Sequence, residues 1–179
     1  MIFYSIPWDS TKNIGKYYNQ FMEILPSEND FACFIDGDAM MLNTYFGKQL
    51  ETYIEKYPEC GIFTCMANRI GCEWQRAGNW YSNDIQEHRM IAETLNKGNY
   101  EIEDVTDKPE RKVMGGVMIL IKKATWQKIG KFKDQGMLGI DNDIHWKAQK
   151  TGEKLYLMKE VYVFHWYRGG NQLDKQHLK

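Results

Sequence analysis

Phe31-Ala32-Cys33-Phe34-Ile35-Asp36-Gly37-Asp38-Ala39-Met40 is the stretch from which the rest of the chain can be read. Five consecutive apolar residues leave no polar face, so Phe31 to Ile35 predicts a strand buried on both sides, central in a sheet covered by helices. Asp36-Gly37-Asp38 ends the run in a polar loop. Were both acids still extended, their side chains would leave the same face about 6.6 Å apart along the chain. Gly37 lets the backbone turn closely or lets a ligand approach it. Two such carboxylates repel each other, and a hard divalent cation relieves the repulsion. Oxygen donors of this kind suit Mg2+ or Mn2+, and the cation could carry a diphosphate. The competing reading is a plain polar turn after a core strand, with Asp38 capping the next helix.

Upstream, residues 2–6 form a short apolar run ended by Pro7, a first strand. Asn13 can cap a helix that carries Tyr17, Phe21, Ile24 and Leu25 up to Pro26. Downstream, the pattern predicts a helix over residues 44–57, stopped by Pro58, and a strand over 61–67. Residues 68–81 have little periodicity and hold Trp74 and Trp80; an irregular stretch this long points to a functional loop. A helix over 84–95 would be anchored by Ile85, Met90, Ile91 and Leu95, and residues 97–112 read as polar loop. Gly115-Gly116 opens a strand over 117–121. A short helix over 125–129, a helix over 141–150 stopped by Gly152, and one or two strands within 155–164 complete the pattern. Strands alternating with helices predict an α/β fold with a mainly parallel central sheet, and a ligand beyond the carboxyl ends of its strands, where Asp36 and Asp38 fall. The expected organisation is one domain over 1–168 and a polar C-terminal tail over 169–179.

Among 179 residues, 23 are basic and 24 acidic, for a net charge of −1, which gives no global attraction to nucleic acid or to an anionic membrane. A hydrophobic fraction of 43% with 14% aromatic residues excludes a disordered or fibrous chain. Cys33, Cys60, Cys65 and Cys72 fit no standard zinc spacing, and two of them sit inside strand-like runs. Free thiols in a reducing, cytoplasmic compartment are expected. The longest apolar run, residues 117–121, is far short of the roughly 20 residues of a membrane-spanning helix, so no transmembrane segment is expected.

Other residues that carry chemistry have competing plain readings. His165 ends an apolar-alternating segment; it could complete a mixed N/O metal shell or simply hydrogen-bond at the sheet edge. His88 and His145 fall in predicted helices and read as structural or solvent-facing. Asp141 and Asp143 open a helix after the glycine-containing segment 136–139, as a cap, as early-turn acids facing the helix dipole, or as a general base. Gly115-Gly116 permits close approach of a ligand, without the spacing of a Walker loop or a dinucleotide fingerprint. Trp74, Trp80 and Trp166 can stack on sugar rings or plug the core. Arg69, Arg76 and Arg168 are placed to meet a phosphate or an acidic sugar.

The stretch 31–40 resembles the apolar strand and Asp-x-Asp motif of glycosyltransferases with the GT-A fold, in particular family 2. Residues 115–132 are similar to that family's glycine-led strand, helix and Gly-x-Phe. Ile140-Asp-Asn-Asp-Ile144 resembles its acidic Glu-Asp-x-Asp-Leu motif, with Ile140 at the first acid. Phe164-His165 resembles its late metal-shell histidine, and Asn13-Ile-Gly15 its helix ahead of the Asp-x-Asp strand. The likeness runs from about Asn13 to Trp166. It implies a GT-A type fold reduced at the N-terminus, since few residues precede Asn13. Asp36, Asp38 and His165 would hold Mn2+ or Mg2+ on the diphosphate of a nucleotide-sugar donor, and Asp141 would be the base that deprotonates a saccharide or other hydroxyl acceptor, with inversion. Ile6, Pro7, Asn13, Gly37 and Gly116 would bind the donor; Trp74, Trp80, Asp143 and Trp166 would stand on the acceptor side. The alternatives are a non-catalytic carbohydrate- or nucleotide-binding protein on a reduced GT-A scaffold, and a nucleotidyltransferase-like enzyme using the same carboxylate–metal logic.

Overall fold

The computed structural model describes residues 1–109 and 113–167. The polar tail over 169–179 and Arg168 lie outside the described residues. In chain order the elements are β1 (Ile2–Ser5), α1 (Ile14–Ile24), β2 (Phe31–Ile35), β3 (Ala39–Met41), α2 (Phe46–Lys56), β4 (Cys60–Ala67), a 3₁₀ turn (Glu73–Gln75), α3 (Ile85–Leu95), β5 (Ile102–Asp104), β6 (Met118–Lys122), α4 (Lys123–Lys128), α5 (Ile140–Thr151) and β7 (Lys154–His165). The strands form one sheet in the order β1-β2-β6-β4-β7-β3, with β5 also paired to β7.

The sheet is mixed, which corrects the expectation of a mainly parallel one. β1 runs parallel to β2 and β4 parallel to β7, but β6 lies antiparallel between β2 and β4, and both β3 and β5 run antiparallel to β7. Alternation of helix and strand in sequence does not fix strand direction, and β6 enters its slot reversed. The continuous apolar run of β2 is explained by helices on both faces. Ala32 and Phe34 point into one cluster with Tyr18 and Met22 of α1, Trp126 of α4 and Ile144 of α5. Phe31 and Cys33 point into the other with Leu50 and Tyr53 of α2. Period-two alternation across a two-sided sheet produces this division.

Local signals explain the helix ends. Asn13 Oδ1 accepts from the Lys16 N–H and starts α1, and Asp84 does the same from Gln86 for α3. Gly139 and Gly152, both left-handed, bound α5, a conformation that costs a side-chain-bearing residue strain. Asp141 therefore lies inside the first turn and is not the cap. In α3 Met90 is exposed, whereas His88 and Ala92 face the protein. The His88 ring bonds the Tyr162 hydroxyl at 2.7 Å and the Ser82 carbonyl at 3.0 Å, which makes its burial tolerable. All four cysteines are free and buried. No helix of the described residues is long and apolar enough to cross a membrane.

β7 is twelve residues long, and its two halves have different partners. β5 pairs with Tyr156 to Met158, while β3 pairs with Val163 to His165 in the register Ala39↔His165. β3, and β5 within the stretch 97–112 expected as polar loop, are strands the sequence pattern does not announce, and β3 directly follows the turn that holds the acids of the site.

Candidate metal centre

β2 delivers Asp36 at its end, with the Asp36 N–H on the Val117 carbonyl at 3.1 Å. The chain does not continue extended. The Ala39 N–H donates to the Asp36 carbonyl at 3.0 Å, closing a tight turn over Asp36-Gly37-Asp38 that feeds β3. Asp38 therefore caps no helix; its carbonyl accepts from the Trp166 N–H at 2.8 Å, locking the turn to the end of β7. A Cβ on Gly37 would make only an ordinary contact with Ile6 at 3.5 Å, so crowding does not force glycine there.

This docking puts His165 against both acids. Its Nε2 lies 3.3 Å from Asp38 Oδ1 and 4.0 Å from Asp36 Oδ2. Its other ring nitrogen, Nδ1, is 2.7 Å from the Arg69 carbonyl oxygen. A carbonyl can only accept, so Nδ1 carries the hydrogen, and in the neutral ring Nε2 presents a bare lone pair to the two carboxylates. That is the arrangement of a metal-ligating histidine oriented by a backbone carbonyl. Three electron-pair donors from Asp36, Asp38 and His165 stand within 4.8 Å of one another. Ligands on a cation at roughly 2.1 Å stand about 3–4 Å apart, so small side-chain movements close the set. The cluster fits a divalent cation, and the imidazole beside two carboxylates suits Mn2+ as well as Mg2+.

The electrostatics of the cluster point the same way. Burial pushes the Asp36 carboxyl up to about 7, with the nearby His165 pulling against the rise and Asp38 and Asp141 adding to it. The Asp36 side chain still keeps 39% of its exposure, so solvent reaches it from the cavity side. The burden on Asp36 is chiefly the burial of its charge, to which Asp38 and Asp141 add, and an added cation offsets it.

Asp36, Asp38 and His165 lie at one end of a cavity of about 760 Å³, and Asp141 lines the same cavity. Cavities of this volume accommodate small-molecule ligands and cofactors. Burial raises the Asp141 carboxyl above its ordinary value, while hydrogen bonds from the backbone of Asn142 and Gly116 pull against the rise. A Cβ on Gly116 would come within 3.1 Å of the Asp141 side chain, so glycine lets the carboxylate close on the main chain. Pro7, Gly37 and Gly116 also line the cavity. Ile6 touches it only through Gly37, and Asn13 is turned away, its Oδ1 on Lys16 and its Nδ2 on Asp134 at 2.7 Å.

The acceptor-side expectations lie elsewhere. Trp74 packs in the interior, edge-on to His145. Trp80 is covered by the Arg76 guanidinium, 3.8 Å from its ring centroid. Asp143 pairs with Lys147 at 2.7 Å, and Trp166 is half exposed at the surface. None of the four lines the cavity. Arg69 is not a free phosphate ligand either. It is 1% exposed and donates to the carbonyls of Trp80 at 2.6 Å, Ser82 at 2.8 Å and Trp166 at 3.2 Å, and to Asn83 Oδ1 at 2.6 Å. Its guanidinium and carbonyl together brace His165.

Gln75 and Tyr18 matter here without a sequence signal that marks them. The N–H groups of Met114, Gly115 and Gly116 turn in succession to side chains rather than to strands. Met114 donates to His145 Nδ1 at 3.0 Å, Gly115 to Gln75 Oε1 at 2.6 Å, and Gly116 to Asp141. Gln75 is fully buried and also donates to Thr64 Oγ1 at 2.8 Å and to the Gly115 carbonyl at 3.2 Å. Tyr18, packed with tilted rings between Phe34 and Phe132, reaches the cavity wall, and burial, then Asp36 and Asp141, push its phenol up. A glutamine in an irregular loop and a tyrosine at a core helix position look ordinary in sequence. Against known proteins, no family model matches the chain and no curated protein matches it.

Proposed function

We propose that the protein is a metal-dependent glycosyltransferase of the GT-A type, resembling family 2, that moves a sugar from a nucleotide-diphosphate donor to an acceptor hydroxyl with inversion. The coarse architecture, a mixed sheet flanked by helices, is compatible with such a fold. The observation that carries the reading is the placement of Asp36, Asp38 and His165 on the same cavity as a half-buried, separate carboxylate, Asp141. Four free, buried thiols support a reducing, cytoplasmic setting.

In this reading Asp36, Asp38 and His165 hold Mn2+ or Mg2+, which when bound offsets the charge on the leaving diphosphate. Arg69 keeps His165 in the tautomer that leaves Nε2 free. Asp141, raised by burial, is poised to accept a proton from the acceptor hydroxyl during attack; general-base assistance of this kind typically contributes 10²–10⁴-fold. Gly116 and Asn142 fix the direction of that carboxylate. Pro7, Gly37 and Gly116 line the donor's path.

The test is a thermal-shift panel of nucleotide-sugars with and without Mn2+, followed by product analysis. A ligand bound only by the folded protein raises the melting temperature. A Mn2+-dependent shift with one donor and release of nucleoside diphosphate is the expected result. Release of monophosphate or pyrophosphate would assign nucleotidyl transfer instead, and no response to any donor would remove the enzyme reading.

A further inference from the structure

Among the described residues four tyrosines are buried, Tyr18, Tyr53, Tyr156 and Tyr162. A phenol oxygen taken out of water needs a partner, or its burial lowers stability. Three of the four have one. Tyr53 donates to the Glu101 carbonyl at 3.1 Å, Tyr156 to Glu59 Oε1 at 3.0 Å, and the Tyr162 hydroxyl bonds the His88 ring at 2.7 Å. The Tyr18 hydroxyl bonds none of the described residues. Tyr18 is 5% exposed, and it lines the same cavity as Asp36, Asp38, His165 and Asp141. We infer that the Tyr18 hydroxyl hydrogen-bonds a neutral hydroxyl of the transferred sugar, and so recognises the sugar rather than the nucleotide. The inference rests on the glycosyl-transfer reading and adds to it a residue that touches the transferred group.

The ring of Tyr18 packs with Phe34 and Phe132 at centroid distances of 4.4 and 4.8 Å, in a cluster with Met22 and Ile140. A phenylalanine would make these contacts equally well, so nothing in the packing calls for the oxygen. Its use lies on the cavity side. Phe34 stands two residues before Asp36 in β2, and Ile140 one residue before Asp141. Ile140 also meets α1 at Gly15, where a Cβ would lie 3.6 Å from its Cδ1, one turn before Tyr18 on the same helix face. These neighbours put Tyr18 on the stretch of wall between the metal ligands and Asp141. Burial first, then Asp36 and Asp141, raise the phenol pKa, which agrees with an oxygen in electrostatic reach of both carboxylates and keeps it protonated at neutral pH. In the proposed displacement the diphosphate sits on the metal and the acceptor hydroxyl meets Asp141, so the transferred sugar occupies the space between. A neutral phenol both donates and accepts, as a sugar hydroxyl does. Its ring is already fixed by aromatic neighbours, so forming the bond orders little. A site built to bond a substrate hydroxyl also rejects an analogue that lacks it, because the site's own polar group is then left unpaired.

The test is calorimetry on the full chain in the presence of Mn2+, comparing the wild type with Tyr18→Phe. The probes are UDP-glucose, GDP-mannose and dTDP-glucose, each paired with its free nucleoside diphosphate, and urea unfolding is measured in parallel. Tyr18→Phe should be no less stable than the wild type, because the lost oxygen has no protein partner. Its affinity for the free diphosphates should be unchanged. Its affinity for the sugar nucleotide that the wild type binds best should fall by about three- to tenfold, the contribution of one neutral hydrogen bond. Equal affinity of both proteins for that sugar nucleotide would overturn the inference. So would an equal loss for the sugar nucleotide and its free diphosphate, which would put the hydroxyl on the nucleotide side. A Tyr18→Phe protein that is clearly less stable, or that fails to fold, would give the hydroxyl a structural role and overturn the inference as well. Failure of the glycosyl-transfer reading has a different signature: the wild type itself then binds none of the sugar nucleotides, and the inference falls with it.

Discussion

Asp38 Oδ1 stands 3.3 Å from Nε2 of His165, although the two residues belong to opposite ends of the chain. The pairing of Ala39 with His165 across β3 and β7, and the bond from the Trp166 N–H to the Asp38 carbonyl, bring them together. The site is thus a product of strand docking: the turn after β2 supplies the acids, and the end of β7 supplies the imidazole.

Arg69 holds that end of β7 in place. Arg69→Met would leave the carbonyls of Trp80 and Trp166 without this donor, while that of Ser82 would keep only the bond from His88. Hydrogen bonds to a charged group contribute about 1.5–3 kcal/mol each, so a loss of roughly 3 kcal/mol or more is expected in urea unfolding. Arg69→Lys should recover little, because an ammonium cannot reproduce the planar fork. A variant within about 0.5 kcal/mol of wild type would show that the buried guanidinium does not brace the site.

Asp141→Asn keeps an acceptor oxygen for the Asn142 and Gly116 N–H groups but cannot take a proton. Donor binding by calorimetry should be unchanged, while transfer falls by about 10²–10⁴-fold. Near-normal turnover would place the base at another residue.

His145 is buried, and desolvation holds its pKa below the ordinary 6.5. The folded state thus favours the neutral ring, whose Nδ1 accepts from Met114 and whose Nε2–H donates to the Thr106 carbonyl at 3.0 Å. The unfolded chain binds the proton more readily, so this contribution is fully present above pH 6.5 and is lost as pH falls through the depressed value. His145→Asn should be less stable than wild type at neutral pH, with the difference shrinking on acidification. Urea midpoints for both proteins across that range provide the check, and a difference independent of pH would contradict the assignment.

Gly15 sits where a Cβ would overlap the Lys133 carbonyl oxygen, a main-chain atom that cannot move aside cheaply. Gly15→Ala should cost about 1–3 kcal/mol by overpacking. At Gly37, where the nearest contact is at 3.5 Å, alanine should be tolerated in stability. Thermal unfolding of the two variants tests the contrast, and equal melting temperatures would refute it.

The residues explain what could be read in advance. β2 was legible because five apolar residues in a row have no other home than a two-sided sheet, and α1 because Asn13 caps it. The direction of β6 was not, since nothing local distinguishes a strand entering a slot upward from one entering downward. β3 is only three residues long and is defined by its partner β7, so its pattern carried no signal of its own. The association of Asp36, Asp38 and His165 came from expecting strand ends to share one rim. The fate of Arg69 and the role of Gln75 were hidden, because side-chain donors satisfied by backbone carbonyls look in sequence like donors awaiting a ligand.

The central claim is that Asp36, Asp38 and His165 form a divalent-cation site. Titration of Mn2+ into the wild type and into Asp38→Ala, followed by calorimetry, tests it most directly. One bound ion in the wild type and none in the variant is the predicted result. Equal binding by both proteins, or none by the wild type, would contradict it.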